Sequence, residues 1–170
     1  MNTFEFLQSK IFYFDNPGHC EDFNRKLSYW SFRGNSIVFT NGCFDILHLG
    51  HVDYLSKAAD MGDVFIAGLN SDESIHRIKG GNRPILDQKS RSMILASFSF
   101  ITAVIIFDED TPYDLIKMIQ PDILVKGGDY QPDEIVGADI VMAKSGRIQT
   151  IPLVEGYSTT AIENKIRKVK

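Results

Sequence analysis

The 170-residue chain has only two cysteines, Cys20 and Cys43, and no Cys-x-x-Cys pair. That leaves no zinc pattern of the common kind, and a reducing cytoplasm is the expected compartment. Charge of one sign is also scarce. A net charge of -4 supplies no basic face for nucleic acid, although a small anionic substrate needs only a local basic pocket. No long apolar run exists. Glu5 breaks the pattern at the start, so neither a signal peptide nor a membrane span is expected. No repeat or low-complexity tract is visible, and the length suits one domain with a buried core. No G-x-G-x-x-G follows the first apolar strand, which argues against a dinucleotide-dependent dehydrogenase.

What is present is an alternation of strands and helices. Residues 1–34 read as an aromatic-rich leader packed on a domain of residues 35–170. In the leader, Asn16-Pro17-Gly18 marks a turn, and residues 21–32 suit a helix ended by Gly34. Beyond it, five short β-branched or aromatic runs are expected as strands at 37–40, 63–69, 103–107, 123–125 and 148–152. Helical spacing lies between them. Asp87 reads as a helix cap, Thr111-Pro112 as a helix start, and Thr160 with Glu163 as a capping box. The pattern predicts an α/β, Rossmann-like three-layer α/β/α fold around a five-stranded parallel sheet. Such sheets bind ligands beyond the C-terminal ends of their strands, where the polar motifs of this chain fall.

The richest motif is Thr40 to His51. Glycine after a strand, here Gly42, lets backbone N–H groups approach an anion, and a helix N-terminus near His48 points at the same place. His48 and His51 share one face of that helix, and Gly50 removes a side chain where a nucleotide could press against the backbone. A histidine pair so placed can donate hydrogen bonds to phosphate oxygens; the plainer alternative is a cap and a packed surface residue. Lys126-Gly127-Gly128-Asp129 ends a strand with a cation and two permissive glycines. It suits either a phosphate, with Asp129 on a sugar hydroxyl or cation, or a plain strand-end turn. Ser158-Thr159-Thr160 opens the last helix, as caps or as donors to phosphate. Lys79, Arg83 and Arg91 flank a glycine-rich candidate loop whose cations could neutralise a leaving group or simply be solvated. Asp45 orders the turn or assists magnesium. Cys43 reads as a small packed residue.

Thr40 to His51, with Thr40, Gly42, Phe44, Asp45 and then His48, Gly50 and His51, resembles the signature of the cytidylyltransferase-like nucleotidyltransferases. Further segments resemble one branch, the adenylyltransferase of ADP-heptose synthesis. They are Asn70-Ser71-Asp72, Lys79-Gly80, Arg83-Pro84, Arg91, Glu109 to Pro112, Leu124 to Tyr130 and Ser158 to Thr160. The resemblance covers roughly residues 36–168; residues 86–89 and the leader depart from it. That branch occurs alone or as the C-terminal half of a bifunctional kinase/adenylyltransferase.

The resemblance implies AMP transfer from ATP, with Mg2+ held mainly by the nucleotide phosphates, to D-glycero-β-D-manno-heptose 1-phosphate for a surface glycan such as lipopolysaccharide. It implies His48, His51 and Lys126 as catalytic residues. Asn41, Gly42, Cys43, Phe44, Gly50, Asn70, Ser158, Thr159 and Thr160 would bind nucleotide. Asp45, Lys79, Arg83, Arg91, Gly127, Gly128 and Asp129 would bind substrate or phosphate, and no protein-held metal is implied. A homo-oligomer, with a dimer favoured, is the expected assembly. The alternative within the superfamily is a cytidylyltransferase acting on glycerol 3-phosphate or another small phosphorylated alcohol.

Overall fold

The structure, a computed structural model, describes residues 1–128 and 134–169. The chain runs α1 (Thr3–Gln8), β1 (Ile11–Tyr13), α2 (Pro17–Phe32), β2 (Ile37–Gly42), α3 (Leu49–Ala59), β3 (Val64–Asn70), α4 (Asp72–Lys79) and α5 (Gln88–Ser97). It continues with β4 (Ala103–Phe107), α6 (Tyr113–Ile119), β5 (Ile123–Gly127), α7 (Ala138–Ala143), β6 (Arg147–Ile151) and α8 (Thr159–Lys168).

All strands pair in parallel, in the order β1-β4-β3-β2-β5-β6. Strand parity sorts the core into two layers, because successive side chains point to opposite faces. Ile37, Phe39, Ile66, Ile105 and Leu124 meet α2, α6 and α7 on one face. Val38, Phe65, Ala67, Val104 and Val125 meet α3 and α5 on the other. The central strands β3 and β4 are buried throughout, which is why they read as continuous apolar runs.

Among the described residues the sheet has six strands where five were expected. The extra one comes from the leader: Ile11, Phe12 and Tyr13 pair with Val104, Ile105 and Ile106. Phe12, Phe23 and Leu27 enter the core, and the Lys10 ammonium donates to the carbonyls of Ala96 and Phe98 at the end of α5. The Asn16-Pro17-Gly18 turn is the start of α2, with the Asn16 side chain as its cap and Pro17 in the first turn. Asp87 caps α5 as expected, accepting from the Ser90 N–H. Two other caps differ. Helix α6 begins at Tyr113 with Pro112, not Thr111, at the cap and no side-chain bond there. Helix α8 is capped by Ser158, so the Thr160–Glu163 box does not form.

One feature of the sheet creates the crevice. Strands β2 and β5 pair at Val38–Ile123 and Phe39–Leu124 and then splay. Asn41 and Gly42 stay with β3, while Lys126 and Gly127 stay with β6. The chain order reverses between β2 and β5, so the opening is the topological switch point of the sheet.

Candidate active site

The splay is held open by side chains. Where the next rung of the β2–β5 ladder would lie, the Val125 carbonyl accepts from the hydroxyls of Thr40 and Tyr54, at 3.0 and 3.1 Å. The two hydroxyls also touch each other. Tyr54 sits on α3 one turn beyond His51, so this knot ties β2, α3 and β5 together. Burial pushes the Tyr54 phenol up to about 12, against the smaller opposing effect of its Thr40 bond, which keeps it a donor.

Above the knot lies a cleft of about 260 Å³ lined by the turn after β2, by His51 and Tyr54 of α3, and by Lys79, Lys126, Gly127, Leu153 and Thr159. The turn bends back sharply. Phe44 takes a left-handed backbone, φ 45°, and its ring lies over Gly42, where a Cβ would stand 3.1 Å from it. Glycine eases this close approach, since a side chain there would push the ring aside.

His48 occupies the N-cap of α3 without capping it through its side chain. The positive end of the helix thus keeps its capacity for an external anion. The His48 and His51 rings lie 4.0 Å apart, centroid to centroid, and the Nδ1 of each is buried without a hydrogen-bond partner. Burial lowers both imidazoles. His51 falls to about 4, with the positive charges of His48 and Lys79 adding to burial, so it is neutral at pH 7. Gly50 lies against the His48 ring: a Cβ there would meet that ring at 3.1 Å and the Tyr157 Cβ at 3.3 Å.

Across the splay, the Lys126 ammonium donates to the Asn41 side-chain oxygen at 2.6 Å. Burial pulls its pKa down to about 8. It is charged at neutral pH yet poorly solvated, a state that an incoming phosphate would relieve. Lys79, from the last turn of α4, is the second cation of the cleft.

Other expected residues lie elsewhere. Arg91 is fully buried, and its guanidinium donates to the carbonyls of Leu86, Cys43 and Asn70 and to the Asp72 carboxylate. It braces the turn after β2 against α4 and does not reach the cleft, because its donors are consumed by the fold. Asn70 is buried with its amide on the Ser74 hydroxyl, and it is not a cleft-lining residue.

Asp45 accepts from the backbone N–H groups of Ile85 and Leu86 and from Arg83 at 2.8 Å. Burial raises its carboxyl, but these bonds together outweigh burial and hold it below the usual range. It orders the 83–86 segment. Arg83 in turn bridges Asp45 and Glu163. Cys43 is half-buried in the cleft wall. Ser158 is exposed and caps α8, Thr159 lines the cleft, and Thr160 is exposed on the first turn. Gly127 approaches Leu153 closely, and Gly128 takes φ 113° with its N–H on the Ile151 carbonyl. Asp129 lies outside the described residues.

Tyr54 and Leu153 were not singled out from the sequence, and Glu163 was read there only as part of a capping box. Of the first two, only Tyr54 left a signal, one turn after His51 on the same helical face. Among the described residues no cluster of three or more His, Cys, Asp or Glu is placed to hold a metal. No helix among them is long and apolar enough to cross a membrane.

The cytidylyltransferase-like family model matches residues 39–165. The chain is 60% identical over 135 residues to the bifunctional protein HldE of Nitratiruptor sp., covering 79% of this chain and 28% of that one. It is 55% identical over 134 residues to HldE of Syntrophotalea carbinolica, again over 79% of this chain and 27% of the relative. The chain therefore spans little more than a quarter of the length of these curated relatives. Among solved structures, a lipopolysaccharide core biosynthesis protein from Thermoplasma volcanium superposes with a TM-score of 0.59. That match has 25% identity and covers 74% of this chain and all of that one. A pantoate-beta-alanine ligase from Francisella tularensis, 14% identical with a TM-score of 0.56 over 94% of this chain and 78% of that one, shares the fold. With the histidine pair and the switch-point cleft in place, the chain belongs to the cytidylyltransferase-like family and is a nucleotidyltransferase.

Proposed function

We propose that this chain transfers AMP from ATP to D-glycero-β-D-manno-heptose 1-phosphate, giving ADP-heptose and pyrophosphate. A phosphate oxygen of the sugar phosphate attacks the α-phosphorus of ATP. A new P–O bond forms, the bond from the α-phosphorus to the bridging oxygen breaks, and pyrophosphate leaves with the electron pair. The nucleophile is already anionic at neutral pH, so no general base is needed, and catalysis rests on positioning and charge stabilisation.

The observation that carries this reading is that His51, with the His48 ring 4.0 Å away, and Lys126 line one cleft between the splayed strands. Neutral imidazoles at a helix N-terminus donate to the phosphates without adding charge of their own, and Lys126 orients an acceptor phosphate. Thr159 and the start of α8 complete the wall. Asp45 has its oxygens engaged by Arg83 and two amides, so this carboxylate does not fit as a magnesium ligand. ATP is taken up as its magnesium complex, the metal entering on the substrate. The choice of ATP and a heptose phosphate rests on the Leu124 to Tyr130 segment and on the identity shared with the HldE proteins. A homodimer is proposed as the assembly, and light scattering on a sizing column reads it directly.

The test is a coupled assay with magnesium, inorganic pyrophosphatase and the heptose 1-phosphate, with ATP and CTP in parallel. Sugar-dependent phosphate release with ATP is expected. Release with CTP alone would reassign the nucleotide, and silence with both nucleotides would refute the heptose acceptor.

A further inference from the structure

Helix α8 brings Thr159 to the cleft, yet none of its residues is buried, and the segment before it, residues 152–158, is largely exposed. A helix without a buried face is placed by its few specific bonds. One such bond stands out. Glu163, one turn into α8, pairs with the Arg83 guanidinium, whose other side holds Asp45 at 2.8 Å. The Arg83 and Glu163 side chains retain only 23% and 18% of their exposure, so water screens the pair less than a surface bridge.

The far end of this strut is rigid. Asp45 is 5% exposed and also accepts the N–H groups of Ile85 and Leu86. It follows the Gly42–Phe44 turn directly, three residues before His48. The strut thus runs from the turn that leads to the histidine pair, through the 83–86 segment, to α8. Arg83 lies between two carboxylates, so the cluster carries a net negative charge and the guanidinium is spoken for. A leaving pyrophosphate would have to displace one of them to reach it.

We infer that Glu163 is a positioning residue: through Arg83 it sets the first turn of α8 against the nucleotide phosphates without touching them. This rests on the nucleotidyltransferase reading of the cleft. Losing the pair leaves α8 tethered by its chain connection and weak contacts. Its N-terminal turn then spends less time in the binding geometry, and affinity falls by that fraction.

The experiment is a calorimetric titration of the full chain with magnesium ATP and no sugar phosphate, paired with amide hydrogen exchange. Wild type, Glu163→Ala and Glu163→Gln are compared. For Glu163→Ala, ATP affinity is expected to fall by about three- to tenfold, as a partly buried ion pair of about 1 kcal/mol allows. Amides of residues 159–168 should exchange faster while those of α3 stay as in wild type. Glu163→Gln, which keeps an acceptor for the guanidinium, should fall between. In steady state the KM for ATP should rise more than kcat falls. Wild-type affinity in Glu163→Ala overturns the inference, even if α8 loosens, because the helix would then have only a structural tie to the cleft. Unchanged α8 protection overturns it as well. Failure of the wild-type protein to bind any nucleotide would instead remove the reading beneath it, and the two failures are distinguished by the wild-type titration.

Discussion

Lys126 is placed for chemistry at the expense of stability. Burial lowers its pKa to about 8 in the folded protein, whereas in the unfolded chain it titrates at the ordinary lysine value. Below pH 8 both states are protonated, and the folded state bears the full penalty of a poorly solvated ammonium. Between about 8 and the ordinary value the unfolded chain binds more protons, so stability rises with pH through that window. Lys126→Met is therefore expected to be more stable than wild type at pH 7 by about 1–3 kcal/mol while losing nearly all turnover. The stability gap should shrink as pH rises above 8, a trend that thermal melts at two pH values measure. In wild type, kcat/KM should decline as pH climbs through about 8, because that ratio reports the ionisation of the free protein.

The same scale shows where sequence reading stops. His48, His51, Gly42, Gly50 and Lys126 were legible because the chemistry of each is local: a strand end, a glycine turn, a helix start. Arg91 was expected to bind substrate or phosphate and Asn70 nucleotide, and both are buried away from the cleft lining, because a residue type does not disclose which way its side chain turns. The partners of Arg91 include Cys43, 48 positions away, and Asp72, 19 positions away. Asp45 left two roles open in the sequence, and only the amides of Ile85 and Leu86 show that it orders a segment.

At the level of elements, the period of the apolar pattern located the five strands of residues 35–170 and the helices α3 to α6 within a residue or a few of their observed ends. Caps were harder. Ser158, Thr159 and Thr160 are three adjacent hydroxyl residues, any of which can cap, and tertiary contact decided among them by drawing Glu163 away to Arg83. The short helix α7 lacks a distinguishing stripe and went unread.

The start of α3 makes the sharpest element-scale prediction. Gly50 faces the His48 ring on one side and the Tyr157 Cβ on the other, so a methyl group there meets both at little more than 3 Å. Alanine is a better helix former than glycine, so Gly50→Ala should leave the melting temperature equal or slightly raised. Turnover should nevertheless fall by about tenfold to a hundredfold, because the imidazole is displaced from the geometry that stabilises developing charge. A variant with wild-type kcat would show that His48 tolerates displacement, and with it that the ring does not act where it stands.

For the whole molecule, the open question is how residues 1–34 relate to the part that carries the chemistry. They were read as a leader resting on the domain. The structure gives them a strand of the sheet: β1 covers the edge of β4, Phe12 packs edge-on against Phe23 at 5.2 Å, and Lys10 closes the end of α5. A three-residue strand pairing with residues more than ninety positions away leaves no periodic trace, which is why it was not legible. Yet no leader residue lines the cleft, and the strands that splay to form it are central. Support and chemistry are thus separable in space. Deleting residues 1–34 should uncover Val104, Ile105 and Ile106 along an unpaired edge and remove Phe12, Phe23 and Leu27 from the core. Burial of three such side chains at about 2 kcal/mol each predicts a melting temperature lower by about 10 °C or more, with a tendency to associate through the bare edge. ATP affinity measured in the cold, where the truncated chain stays folded, should remain within about twofold of the full chain, since affinity follows contacts made at the site. A truncated chain that melts with wild type would show the leader to be an appendage after all. One that melts lower and also loses ATP affinity would mean that the edge strand reaches the switch point through the sheet.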